Sequence, residues 1–162
     1  MAWFYAAEWP TFAPPLTEGV AGSARSVVGG GIVEGLFLSC QSARKLGLRS
    51  TGNADGFYNL RLCSDAAAGD LQAMLRRLDC GLFVTDFLGG STDPATGTWT
   101  RAVRGFWVEG GAVAHAVTDV TLAGSMPVML QNIRAIGDDV ERHDAIRTGS
   151  ILIDDMQVGG GA

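Results

Sequence analysis

Glycine placement constrains this chain more than any other feature. The 162 residues include 23 glycines, about twice the usual ~7% share. They follow no short repeat and collect at the ends of apolar runs. Glycine at such positions supplies the positive φ that tight turns between strands require. A chain so punctuated reads as many short strands joined by turns, with few long helices.

The apolar runs bear this out. Ala24 to Val28 and Ile32 to Ser39 are separated by Gly29-Gly30-Gly31, a hairpin signal. Gln41 to Leu48 holds good helix formers and predicts a short helix. Leu71, Met74, Leu75 and Leu78 form one helical stripe, with Asp70 as N-cap and Gly81 as the expected C-terminal cap. Leu82 to Leu88 reads as a strand, 89–99 as a long polar loop, and Thr100 to Glu109 as a second strand. Gly110-Gly111 then turns the chain into Ala112 to Leu122. Ser125 to Ile136 predicts a second main helix, capped by Ser125 with Pro127 in its first turn. Ile151 to Val158 predicts a closing strand.

Because the helices do not alternate with single strands, a doubly wound parallel sheet is disfavoured. The expected class is α+β, with a mostly antiparallel or mixed sheet and two main helices packed on it. Residues 1–15 read as an irregular N-terminal segment and 16–162 as one domain. The apolar start, Met1 to Ala7, lacks a basic region, is broken by Glu8 and is too short to span a bilayer; it could serve as an edge strand.

A net charge of −5 repels phosphate backbones and anionic lipid, so neither direct nucleic-acid contact nor membrane-surface binding is expected. Cys40, Cys63 and Cys80 are odd in number, widely spaced and without a C-x-x-C pair. They read as free, mostly buried thiols in a reducing cytoplasm.

Motifs of complete active sites are missing. His115 and His143 are far apart in sequence, and no H-E-x-x-H occurs. There is no G-x-S-x-G elbow. Gly29-Gly30-Gly31 lacks the lysine and hydroxyl of a phosphate loop. Asp138-Asp139 follows an expected helix end, where negative charge is unfavourable, so a salt bridge or functional contact is one reading and a solvated turn the other. Asp154-Asp155 interrupts an apolar strand, as charges on exposed edge strands do.

Several segments, in order, resemble a known family. They are Ser42-Ala43-Arg44-Lys45-Leu46-Gly47 with Ser50-Thr51-Gly52-Asn53-Ala54, then Gly81 to Gly89, Thr96 to Arg101 and Gly105 to Gly111. Thr121 to Met126, Ile136 to Asp139 and Gly149 to Met156 follow. Together they resemble the TldD/PmbA family, and within it the C-terminal part of the TldE (PmbA) branch. The sequence departs from that pattern at Pro15-Leu16-Thr17-Glu18-Gly19, where the family has F-D-D-E-G, and at Ala102, where it has glycine.

The resemblance implies a non-catalytic component of a heteromeric, cytoplasmic TldD/TldE zinc metalloprotease acting on extended or unfolded peptides. Zinc is then expected on a TldD-like subunit, with no catalytic residue, metal ligand or cofactor in this chain. Strand edges and glycine-rich loops would hold the peptide, with Thr51, Asn53 and Thr96 as candidate contacts. Two alternatives accompany this. One is a protein-binding adaptor of the kind described as a DNA gyrase modulator. The other is a self-sufficient hydrolase built on His143 with Asp138 or Asp139. Family members are longer, so strands with absent neighbours imply self-association of the isolated chain, as a homodimer.

Overall fold

A computed structural model describes residues 2–6, 18–54, 56–57, 59–66, 68–140 and 145–160. In chain order the elements are β1 (Ala2–Ala6), β2 (Arg25–Gly29), β3 (Ile32–Val33), α1 (Cys40–Leu46), β4 (Leu60–Ser64) and α2 (Leu71–Leu78). There follow β5 (Gly81–Thr92), β6 (Thr98–Glu109), β7 (Ala112–Ser125), α3 (Met126–Gln131) and β8 (Ile133–Ile136). The series closes with β9 (Ile146–Arg147), β10 (Ile151–Ile153) and β11 (Gln157–Gly159). The fold is α+β and chiefly antiparallel, as expected, with its strands divided among three sheets. The span read as one domain contributes to two compact units. Met1–Ala67 with Asp139–Gly149 forms the first, and Ala68–Asp138 with Ser150–Ala162 the second.

In the first unit, five strands run in the order β3-β2-β1-β4-β9. Every pairing is antiparallel except β4 with β9. β1 corrects two expectations: Ala2–Ala6 is neither irregular nor an edge, because it pairs with β2 on one side and β4 on the other. Its few residues are too short a run to show strand periodicity. The β2–β3 hairpin turns through Gly30 (φ 61°) and Gly31 (φ 80°), the two consecutive positive φ values of a hairpin turn that matches strand twist. β3 is only two residues long, so most of the apolar run to Ser39 is not strand.

α1 is defined at both ends. The Ser39 hydroxyl accepts from Ser42 N–H at 3.0 Å, and Glu18 accepts from Cys40 N–H at 2.6 Å. Gly47 (φ 67°) ends the helix, its N–H and that of Leu48 reaching the carbonyls of Arg44 and Ala43.

In the second unit, β11-β7-β6-β5 forms a four-stranded antiparallel sheet and β10-β8 a separate pair. Val103, Val120 and Leu122 are buried on the large sheet, with Leu82, Val84, Trp99, Val117 and Met156 packed against them. A second cluster joins Ala68, Met74 and Ala135 with Leu152. Asp70 caps α2 by accepting from Ala73 N–H at 2.9 Å. The helix ends at Asp79 (φ 56°), not at Gly81, which starts β5.

Two longer corrections concern this unit. The expected loop 89–99 is mostly strand: β5 continues to Thr92 and only 93–97 turns. Gly89 and Gly90 adopt φ of 158° and 145° within the ladder. A Cβ on Gly90 would lie 2.0 Å from the Thr100 carbonyl oxygen, so only glycine lets β6 approach there.

The expected helix Ser125 to Ile136 stops at Gln131, and Ile133–Ile136 is strand β8, paired with β10. Its β-branched isoleucines suit that ladder. Ser125 makes no side-chain capping bond, though Pro127 does sit in the first turn. The closing strand is likewise two, β10 and β11. The cysteines are all free, but Cys80 is exposed and Cys40 and Cys63 are half-buried, contrary to the buried reading.

Candidate functional site

Thr51 and Asn53 come together in the first unit, where the loop after α1 crosses the segment after β3. Arg25 of β2 organises the crossing. Its guanidinium donates to Asn53 Oδ1 at 2.8 Å and to the Leu36 carbonyl at 3.0 Å. It also lies 5.3 Å from the centre of the Phe37 ring. Partial burial pushes Arg25 below the ordinary guanidinium value. The Thr51 hydroxyl accepts from Leu38 N–H at 2.8 Å, and Asn53 Nδ2 donates to the Gly56 carbonyl at 2.9 Å. Between them Gly52 (φ 71°) presses on the backbone, and a Cβ there would sit 2.7 Å from the Val20 carbonyl oxygen. The polar groups of both candidates therefore brace the loop crossing.

Thr96 belongs to the second unit, in the turn joining β5 to β6. Its hydroxyl donates to Asp93 Oδ2 at 2.9 Å, and Asp93 Oδ1 accepts from Ala95 N–H at 2.9 Å. The Ala95 N–H first, then the Thr96 hydroxyl, hold the Asp93 carboxyl below its ordinary value. Behind the turn, Trp99 meets Phe87 edge-on at 6.1 Å. The Arg101 guanidinium lies 5.5 Å from the Trp99 ring centre.

The four-stranded sheet carries a feature that motif reading missed. Leu82, Trp107 and His115 are neighbours across β5, β6 and β7. They line a cavity of about 320 Å³ with Val117, Thr118, Val120, Val158 and Gly160. One sequence signal was available: Trp107 and His115 stand either side of Gly110-Gly111 at a spacing that a hairpin brings together.

One member of each acidic pair is bonded within the second unit. Asp138 and Gly69 exchange two bonds: the carboxylate accepts from Gly69 N–H at 3.1 Å, and Asp138 N–H donates to the Gly69 carbonyl at 2.8 Å. Asp154 pairs with Arg134 at 2.6 Å, and Asp154 and Asp155 lie between β10 and β11, not within a strand. His143 lies outside the described residues. Among the described residues no three His, Cys, Asp or Glu side chains converge into a metal site. His115, exposed beside Trp107 and Val117, offers a lone imidazole on apolar ground. A catalytic zinc does not fit these residues.

A chiefly antiparallel α+β fold with a Trp–His cavity on its main sheet defines a class of small β-rich domain. Residues 11–160 match the model of the PmbA/TldA metallopeptidase C-terminal domain, and the chain belongs to that family. It is 40% identical over 89% of its length to "Metalloprotease PmbA homolog" of Haemophilus influenzae. It is 37% identical, again over 89%, to "Metalloprotease PmbA" of Escherichia coli O157:H7. It spans 32% of each of those relatives, and corresponds to the C-terminal part of a PmbA/TldE-type protein. A crystal structure of a proposed modulator of a DNA gyrase from Thermotoga maritima superposes with TM-score 0.83 at 25% identity, covering 98% of this chain and 39% of that one. TldE from Thermococcus kodakarensis shares the fold, with TM-score 0.77 at 19% identity over 98% of this chain and 40% of that one.

Proposed function

We propose that the chain is a non-catalytic TldE/PmbA-type component of a heteromeric TldD/TldE zinc metalloprotease that acts on extended or unfolded peptides in the cytoplasm. The observation that carries this reading is the 40% identity to a PmbA metalloprotease homolog across 89% of the chain. Zinc is assigned to the TldD-like subunit. This chain contributes binding surface: sheet edges with main-chain groups free to pair, and the braced loops at Thr51, Asn53 and Thr96.

Self-association of the isolated chain belongs to the same reading. β3 is an edge strand whose Ile32 and Val33 are 70% and 66% exposed, the kind of apolar edge that recruits a second copy. Among the described residues no helix is long and apolar enough to cross a membrane.

Co-expression with a TldD-type subunit tests the proposal. Co-elution of the two chains as one species of defined mass is the expected result, and separate elution at micromolar concentration contradicts it. The name of the Thermotoga maritima structure favours a second reading, a protein-binding adaptor acting on DNA gyrase. With a charge of −5, such an adaptor would contact the enzyme and not its DNA. A gel shift with DNA alone is then negative, while added gyrase retains the chain.

A further inference from the structure

The cavity on the large sheet lies beside a strand edge left open. β11 pairs with β7 only at Thr121, Leu122 and Ala123. From Val120 back to Ala112, β7 has no neighbour on that side among the described residues. The cavity begins where β11 leaves off: Val158 and Gly160 close one end, and His115–Thr118 with Val120 form its flank. The pairing with β6 shifts register on both sides of the regular stretch His115–Val117, once beside Ala114 and again at Thr118 and Asp119. Such bulges re-aim side chains and end pairing, and they gather next to binding sites.

We infer that this edge and cavity form a peptide subsite, in which an extended segment pairs with His115–Val117 in line with β11 and drops one apolar side chain into the cavity mouth beside Val117 and Val158. Two requirements identify the occupant. Main-chain N–H and C=O groups on an open edge are satisfied in kind only by another extended backbone. An apolar floor with one imidazole at its rim suits an aliphatic or aromatic side chain. β11, three residues long, shows the length of strand this edge accepts.

The charge favours a cationic peptide: exposed Asp119 follows the lining residue Thr118 on the same open edge, and the chain carries −5 overall. The opposite edge, β5, is a poorer host. Gly89 and Gly90 there take φ values of 158° and 145°, a backbone that an added regular strand does not match.

This inference rests on the peptide-handling reading above but is tested on the chain alone, without partner or metal, so its failure leaves subunit association untouched. The probes are the blocked pentapeptide Lys-Val-Leu-Val-Lys and its counterpart with proline in place of leucine. Amide exchange is followed by NMR during titration. The leucine peptide is expected to slow exchange within His115–Val117, and the proline peptide to bind about tenfold more weakly or worse. Val158→Trp, at a site 51% exposed, fills the cavity mouth and is expected to cost a similar factor. His115→Trp serves as the second filling variant if that one misfolds. Protection along β5 in place of β7, equal binding of both peptides, unchanged affinity in a folded filling variant, or no binding would each overturn the assignment.

Discussion

At the scale of single residues, fixed geometry matters more than polarity. Gly90 lies against the Thr100 carbonyl with no room for a Cβ, whereas the equivalent direction from Gly89 is open. Gly90→Ala must break or shift the β5–β6 ladder and is expected to cost about 2–4 kcal/mol. Gly89→Ala meets only backbone strain and should cost less, about 1–2 kcal/mol. Denaturant unfolding of the two variants side by side checks the ordering.

Asp93 makes a second residue-scale prediction. Its carboxyl is held down in the folded state by the Ala95 N–H and the Thr96 hydroxyl. The contribution of these bonds is fully present above the unfolded value, about 3.9, and is lost as pH falls through the lower folded value. NMR titration should place the Asp93 midpoint below that of an unstructured aspartate. Thr96→Val should raise it partway, since the larger cause, the Ala95 N–H, remains.

At the scale of elements, helix ends are the clearest test. Asp70 and Ser39 both cap through side-chain oxygens. Asp70→Ala and Ser39→Ala should each lower stability by about 1 kcal/mol, read from the thermal midpoint. Ser125→Ala should change little, because that side chain makes no cap bond.

The same elements show how far the sequence could be read. α2 was legible because stripe and N-cap agree within one short window. The β2–β3 and β6–β7 hairpins were legible because paired glycines sit at their turns. α3 and β8 were fused in the reading because Met126, Met129, Leu130, Ile133 and Ile136 fall at helical spacing. What separates them is the pairing of β8 with β10, a tertiary contact that local spacing cannot report. β4 went unread for a similar reason, since β1 and β9, its sheet neighbours, lie far away in sequence. Of the candidate site, Thr51 and Asn53 stand out in the sequence only as polar groups of a turn-rich loop. Arg25, which ties them together, left no local signal because it lies 28 residues from Asn53.

At the scale of the whole molecule, the proposed role is that of a surface-bearing part of a metallopeptidase assembly. Association should be specific to edges. Dimerisation of the isolated chain should slow amide exchange at Ile32–Val33, and peptide binding should slow it at His115–Val117. Salt should weaken the second more than the first, since the peptide site is selected partly by charge.

The most direct measurement is zinc content together with peptidase activity for three samples: this chain alone, a TldD-type subunit alone, and their complex. The account predicts no stoichiometric zinc and no cleavage of an unfolded peptide by this chain alone, with zinc in the complex equal to its content of TldD-type subunits. One zinc per molecule of this chain, with cleavage abolished by His143→Ala, would contradict it.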